Sequence, residues 1–208
     1  SNGGGTTMDD YDIWKDYGPA NWDIPHRFVA TYLYDLPFFR NSPQPILRHV
    51  AGGWQVAGVT TLESGTPVNI TFGQDRANIG KGGQRPDLVG SVPELNCQPN
   101  SAGATQPERR QLINCYDATA FALPAQFTFG NAGRNILRGP KAINTDLSLM
   151  KNFTFQGTKR FQVRLEMYNI FNNVNYSNPN ASFGAAAFGR ITGARALRRI
   201  QLGGKFIF

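Results

Sequence analysis

The strict alternation of apolar and polar side chains near the end of the chain restricts its fold more than any other feature of the sequence. In residues 161–167 one parity is apolar and the other is polar: Phe161, Val163, Leu165 and Met167 alternate with Gln162, Arg164 and Glu166. The last ten residues repeat the pattern, with Ile200, Leu202, Gly204, Phe206 and Phe208 on one parity. A period of two predicts β-strands that each carry one apolar face.

Three earlier segments show the same period. Residues 27–36 and 54–72 alternate, and a bulge is predicted at Pro67 because proline cannot donate to a strand ladder. Residues 141–155 alternate up to Phe155, and Gln156-Gly157-Thr158-Lys159 then gives a tight turn. The sequence therefore predicts five strands, at residues 27–36, 54–72, 141–155, 160–171 and 191–208.

Composition points to the same all-β class. The 208 residues include 23 Gly and 13 Pro, so long uninterrupted helices are not expected. The longest apolar runs fall well short of the roughly 18 residues that a transmembrane helix needs. We expect strands and loops, and no membrane-spanning helix.

The lengths of the connections distinguish between kinds of antiparallel sheet. The connections after residues 36 and 155 are short to moderate, whereas those after residues 72 and 171 are long. Short turns at one rim and long loops at the other are typical of an outer-membrane β-barrel, with the short turns on the periplasmic side. The sequence thus predicts an antiparallel transmembrane β-barrel segment, with its carboxyl end at the periplasmic rim.

Charged and amide side chains lie on the parity opposite the apolar one. We predict that five of them face the barrel lumen: Asp146, Gln162, Arg164, Glu166 and Lys205. Such groups are costly in a small packed core but suit a water-filled or plugged lumen. We expect the two carboxylates among them to pair with luminal Arg or Lys.

Five strands do not close a barrel, since even small barrels need about eight. We therefore expect residues 25–208 to be the C-terminal part of a larger barrel, with a long extracellular loop at 73–139, and residues 1–24 to be the remnant of another extracellular loop. Missing N-terminal strands would complete it. A short outer-membrane protein that assembles from copies of itself is the alternative.

The two cysteines, Cys97 and Cys115, lie in a polar stretch without a nearby histidine. This setting favours a disulfide and an oxidising compartment over a metal site, with two free thiols as the alternative.

Four groups of residues resemble the TonB-dependent outer-membrane receptors, in particular those with an N-terminal carboxypeptidase-regulatory-like domain. They are Asp16-Tyr17-Gly18-Pro19 with Asp23-Ile24-Pro25-His26-Arg27-Phe28; Gly53-Trp54-Gln55-Val56-Ala57-Gly58 with Ser64-Gly65-Thr66-Pro67; Gly130-Asn131-Ala132-Gly133-Arg134-Asn135 with Arg138-Gly139-Pro140; and Asn169-Ile170-Phe171-Asn172. The resemblance implies a location in the outer membrane of a Gram-negative bacterium. It also implies that Phe206 and Phe208 form the terminal signal read by the barrel assembly machinery.

The same resemblance implies import of a bulky solute, energised by TonB through the plug of the parent protein. The solute is unknown, and residues 73–139 and 172–190 are the regions expected to contact it. Lipid of the outer membrane and the missing barrel strands are the other expected partners.

Other function classes find little support. His26 and His49 have no accompanying nucleophile, metal-ligand spacing or phosphate-binding loop, so we expect no enzyme, cofactor or metal. The net charge of +7 is scattered and carries no nucleic-acid-binding motif. A soluble secreted β-domain that binds carbohydrate through exposed Trp and Tyr remains an alternative.

Overall fold

A computed structural model describes residues 7–100, 111–154 and 159–208. The strands are β1 (Arg27–Asp35), β2 (Trp54–Glu63), β3 (Pro67–Val68), β4 (Asp87–Leu88), β5 (Gln98–Pro99), β6 (Leu112–Ile113), β7 (Phe121–Ala122), β8 (Leu137–Arg138), β9 (Ala142–Thr154), β10 (Arg160–Tyr168) and β11 (Arg199–Ile207). Short helices are α1 (Pro45–Val50) and the 3-10 helices Ile13–Asp16 and Ala118–Ala120. Within the described residues, no helix is both long and apolar enough to cross a membrane.

The chain divides into two compact units. The sheet unit comprises Arg27–Glu63, Ala142–Asn175 and Ala196–Phe208, and the loop unit comprises Ser1–His26, Ser64–Lys141 and Tyr176–Arg195. The fold is therefore all-β, as the alternation predicts, with an additional compact unit built from the long connections.

The sheet unit contains the five long strands in the order β1-β2-β9-β10-β11, and all neighbours are antiparallel. The register is continuous across the whole sheet. One row of opposed residues is Tyr32, Gly58, Leu147, Met167 and Ile200, and the adjacent row is Leu33, Ala57, Ser148, Glu166 and Gln201. Because side chains alternate between the two faces, this register places the apolar parity of all five strands on one face.

β2 is shorter than the sequence predicts. It ends at Glu63 instead of continuing through a bulge to residue 72, and Pro67–Val68 pairs with Leu137–Arg138 in a separate ladder. The cause is a close backbone approach beside Gly65, where a Cβ would lie only 1.7 Å from the carbonyl oxygen of Gly139. A local approach of this kind leaves no periodic signal in the sequence.

The last two strands are also shorter than predicted. β10 ends at Tyr168 because Asn169 and Asn172 adopt positive φ angles of 50° and 55°, which strand residues do not have. β11 begins at Arg199, and Ile191 forms a bridge with Leu112 inside the loop unit. Phe155 and most of the predicted turn that follows it, residues 156–158, lie outside the described residues.

The loop unit has its own hydrophobic core. Its buried members are Val68, Ile70, Tyr116, Ala120, Phe121, Ala132 and Leu137. Phe183 and Phe188 pack against this cluster, with their ring centroids 5.7 Å apart in an edge-to-face arrangement. The long connection at 73–139, which is far longer than an ordinary loop, therefore owes its length to a packed unit over its described residues.

Candidate functional site

The polar face of the sheet carries a hydrogen-bond network centred on Arg164. Its guanidinium donates to Gln162 Oε1 at 3.0 Å and forms an ion pair with Glu166 Oε1 at 3.2 Å. Gln201 and the Tyr168 hydroxyl also donate to the Glu166 carboxylate. The network joins β10 to β11, and it can hold polar and charged side chains in fixed positions along a water-accessible wall.

The five side chains predicted to face the lumen all lie on this polar face, because the register opposes Gln162 to Lys205 and alternation places Asp146 on the same side. Glu166 pairs with Arg164, as expected. Asp146 does not pair with a cation among the described residues: it accepts hydrogen bonds from Asn144 Nδ2 and from the backbone N–H of Asn169, both at 2.9 Å. The expectation of an ion pair at Asp146 was wrong because β10 ends beside it and offers a free N–H instead.

The two regions expected to contact solute come together in the loop unit. The N–H of Cys115 donates to Gly189 O at 3.0 Å. The ring centroids of Tyr116 and Phe188 are 6.5 Å apart, and those of Phe121 and Phe183 are 6.1 Å apart. Residues 176–190 are therefore held against the described parts of 73–139 by a backbone hydrogen bond and by the aromatic core.

A cleft of about 800 Å³ opens in the loop unit beside the disulfide between Cys97 and Cys115. Its lining includes the carboxylate residues Glu94 and Asp117 and the amide residues Asn96, Gln98 and Asn114. A cleft with this lining offers many hydrogen-bond acceptors and donors, which suits a ligand with polar groups.

Two of the titratable groups that border the cleft have shifted pKa values. Hydrogen bonds from the Thr119 hydroxyl at 2.7 Å and the Thr119 backbone N–H at 2.9 Å hold the pKa of Asp117 below its usual value. Burial raises the pKa of Tyr116, whose hydroxyl donates to Arg138 O at 2.9 Å. At neutral pH the cleft therefore carries an ionised Asp117 and a neutral Tyr116.

A buried arginine in the loop unit could not be identified from the sequence, because no motif or periodic pattern marks it. Arg85 is 3% exposed, and its guanidinium pairs with Asp16 Oδ1 at 2.6 Å. It also donates to the carbonyl oxygens of Ala132 and Lys15, at 2.9 and 2.6 Å. Arg85 therefore connects its own segment to residues 15–16 and to Ala132, which are distant from it in sequence.

Several of the segments that carry the family resemblance meet one another in the loop unit. A Cβ on Gly18 would lie 2.4 Å from Arg134 O, so only glycine permits this approach. Asn135 Nδ2 donates to Pro19 O at 2.6 Å. The Asp-Tyr-Gly-Pro segment is thereby fixed to the segment at 130–135.

Two further contacts extend the same arrangement. Arg138 forms an ion pair with Asp23 at 2.6 Å, and the N–H of Ser64 donates to His26 O at 2.9 Å. The resembling segments that lie in the loop unit thus form one connected structure, whereas residues 53–58 and 169–172 belong to the sheet unit.

With the two-faced antiparallel sheet and its long connections established, comparison with known families gives the class of protein. The model of the family described as outer membrane beta barrel domain matches residues 1–201. The chain belongs to this family of outer-membrane β-barrel proteins. No curated protein and no solved structure matches it.

Proposed function

We propose that the chain is the C-terminal part of the barrel of a TonB-dependent receptor that imports a bulky solute across the outer membrane. The observation that carries the proposal is the connected set of segments around Gly18, Arg134 and Asn135, whose residue strings resemble this class of receptor. In the proposal, the described strands supply wall and lumen, and the loop unit contributes solute contacts.

The unpaired outer edges of the sheet support the proposal that further strands complete the barrel. β1 and β11 are its outer strands, and five strands fall short of the roughly eight that a small barrel needs. Unpaired strand edges in hydrocarbon would leave backbone polar groups without partners, which costs several kcal/mol for each group. We assign the missing strands and the plug to the same parent polypeptide.

The cleft beside the disulfide supports a polar solute. Its carboxylate and amide lining offers fixed hydrogen-bond partners, and the disulfide restrains the two strands next to it. Polar solutes too large for passive diffusion fit this description.

The proposal is tested by crosslinking to TonB. A tagged copy of the complete protein, expressed from its own chromosomal position, is expected to fractionate with the outer membrane and to crosslink to TonB in living cells. Dissipating the proton-motive force should abolish any uptake that depends on the protein. A protein that reaches the outer membrane but never crosslinks to TonB would be a passive pore or a structural barrel, and the import proposal would then be wrong.

A further inference from the structure

The connection between β1 and β2, residues 36–53, has a fixed structure. Helix α1 ends with the N–H of Ala51 donating to Leu47 O at 2.8 Å. A Cβ on Gly52 would lie 2.7 Å from Arg48 O, and Gly53 has a φ of +73°. The close approach requires glycine at residue 52, the positive φ favours glycine at residue 53, and the chain returns sharply into β2.

This return brings basic side chains around a small cavity. The cavity has a volume of about 150 Å³, and its lining includes Arg40, Arg48, His49 and Lys151. None of these four side chains forms an ion pair with a carboxylate among the described residues. The cavity therefore carries an uncompensated positive charge.

Lys151 supplies the innermost of these charges. It lies on the apolar face of the sheet opposite Trp54, is 3% exposed, and donates to the carbonyl oxygen of Gly52. Its Nζ is 5.6 Å from the Trp54 ring centroid and 5.0 Å from that of Phe153. A lysine on an apolar, aromatic surface is characteristic of the boundary between hydrocarbon and water, where its stem lies in the apolar layer and its ammonium reaches the polar one.

The surroundings of the cavity are apolar and exposed. Helix α1 presents Ile46 and Val50, 79% and 61% exposed, four residues apart on one side of the helix. Phe38 and Phe39 precede the helix and are 64% and 51% exposed. Exposed apolar groups next to unpaired cations form the kind of amphipathic surface that binds at a lipid headgroup layer.

The same end of the sheet carries a band of aromatic side chains. On the apolar face, Tyr34, Trp54, Phe153, Phe161 and Phe206 lie near the strand ends that the short connections join. Outer-membrane barrels carry such a girdle at each membrane interface. The cavity therefore lies at the level where lipid phosphates are found.

We propose that this cavity binds the phosphate of an anionic phospholipid in the periplasmic leaflet, with the acyl chains against the exposed apolar side chains. Two arginines and a buried lysine attract the single negative charge of a phosphate diester and offer N–H donors to its oxygens. The volume corresponds to about five water molecules, which admits a phosphate group but not a whole lipid, so the remainder of the lipid lies outside on the apolar surface. The site does not depend on the transport proposal, because it requires only membrane insertion in the predicted direction.

The test uses the complete protein, extracted in detergent and placed in nanodiscs of phosphatidylcholine with or without phosphatidylglycerol. Native mass spectrometry counts the phosphatidylglycerol that remains bound. Arg48→Gln is expected to weaken its retention about tenfold and Arg40→Gln/Arg48→Gln about 100-fold, because each charge-assisted hydrogen bond to the phosphate contributes about tenfold. Heat-modifiable gel mobility shows whether each variant is folded, and the single variant alone decides the test if the double variant does not fold.

The control matched in charge to Arg48→Gln is Lys159→Gln, which removes one positive charge from an exposed position in another connection at the same end of the strands. It is expected to leave phosphatidylglycerol retention nearly unchanged. An equal loss in the control, or equal retention of phosphatidylcholine, would show only general attraction and would overturn the proposal. Displacement of phosphatidylglycerol by excess inorganic phosphate would show a site for the free anion instead of a lipid site, and would overturn it as well.

Discussion

At the scale of single residues, Arg85 shows how one side chain can organise distant segments. Its three polar contacts reach Asp16, Lys15 and Ala132, so residues 12–16, 85 and 130–135 are all held by one guanidinium. A buried ion pair is strongly destabilising when one partner is removed, because the remaining charge loses its compensation.

Arg85→Met should therefore destabilise the loop unit locally. Since Asp16 is only 12% exposed, the loss is expected to be about 3–5 kcal/mol, read as faster amide hydrogen exchange in residues 8–17 and 85–88. The control is Arg138→Met, whose ion pair with Asp23 is more than a third exposed and should contribute at most about 1 kcal/mol. Equal effects of the two variants would contradict the role assigned to Arg85.

Asp117 gives a residue-scale prediction about pH. Its carboxylate accepts from both the hydroxyl and the N–H of Thr119 and so caps the 3-10 helix Ala118–Ala120. Because the folded pKa lies below the ordinary value of 3.8, the cap contributes stability above pH 3.8 that is lost as the pH falls through the folded value.

An NMR titration of the Thr119 amide should accordingly have its midpoint below 3.8. Thr119→Val removes the hydroxyl donor and should move the midpoint upward, whereas Asp117→Asn should abolish the titration. A midpoint at or above 3.8 in the unaltered protein would show that the hydrogen bonds do not stabilise the ionised carboxylate.

At the scale of elements, the long strands could be predicted from the sequence and the short ladders could not. β1, β9 and β10 each extend over nine or more residues, which is long enough for alternation to identify them. Pairs such as Pro67–Val68 with Leu137–Arg138 contain too few residues to show any period. The sequence likewise could not predict the cleft, because its walls come from segments whose positions depend on tertiary contacts.

The final strand carries the most direct element-scale prediction. β11 places Phe206 on the apolar face, and Phe208 follows it on the same parity with the two ring centroids 6.2 Å apart. If the barrel assembly machinery reads this aromatic end, Phe208→Ala in the complete protein should lower the amount inserted in the outer membrane severalfold, while Phe208→Tyr should insert normally. Insertion is measured as the heat-modifiable fraction in purified outer membranes. Unchanged insertion of the alanine variant would remove the role assigned to this residue.

At the scale of the whole molecule, the apolar face of the sheet argues for a membrane more than any single residue does. Phe28, Ile200 and Leu202 are 62%, 60% and 75% exposed, and they belong to one continuous face across the five strands. Soluble proteins rarely expose apolar patches of such extent, because burial of apolar surface is the main stabilising contribution to folding. Contact with lipid removes this apolar face from water. In a soluble carbohydrate-binding domain the same face would stay exposed to water.

The two faces can be assigned directly by quenching in lipid. Because Cys97 and Cys115 are joined in a disulfide, a single introduced cysteine provides the reactive thiol for a small fluorophore. Fluorophores at Leu147→Cys and Leu202→Cys should be quenched by brominated lipids in a reconstituted membrane. Those at the adjacent positions Ser148→Cys and Gln201→Cys should not, because alternation directs them to the polar face.

Quenching by brominated lipids reports contact with lipid directly. A plug that fills the lumen therefore does not change the result. Neighbouring residues differ in face but hardly in depth along the strand, so a difference in quenching between Leu147 and Ser148 cannot arise from depth alone. If the polar positions were quenched and the apolar ones were not, Arg164, Glu166 and Lys205 would face lipid, and the lumen assignment would be reversed. Similar quenching at all four positions, or none at any of them, would show that the two faces do not differ in their contact with lipid. The sheet would then not form part of a barrel wall.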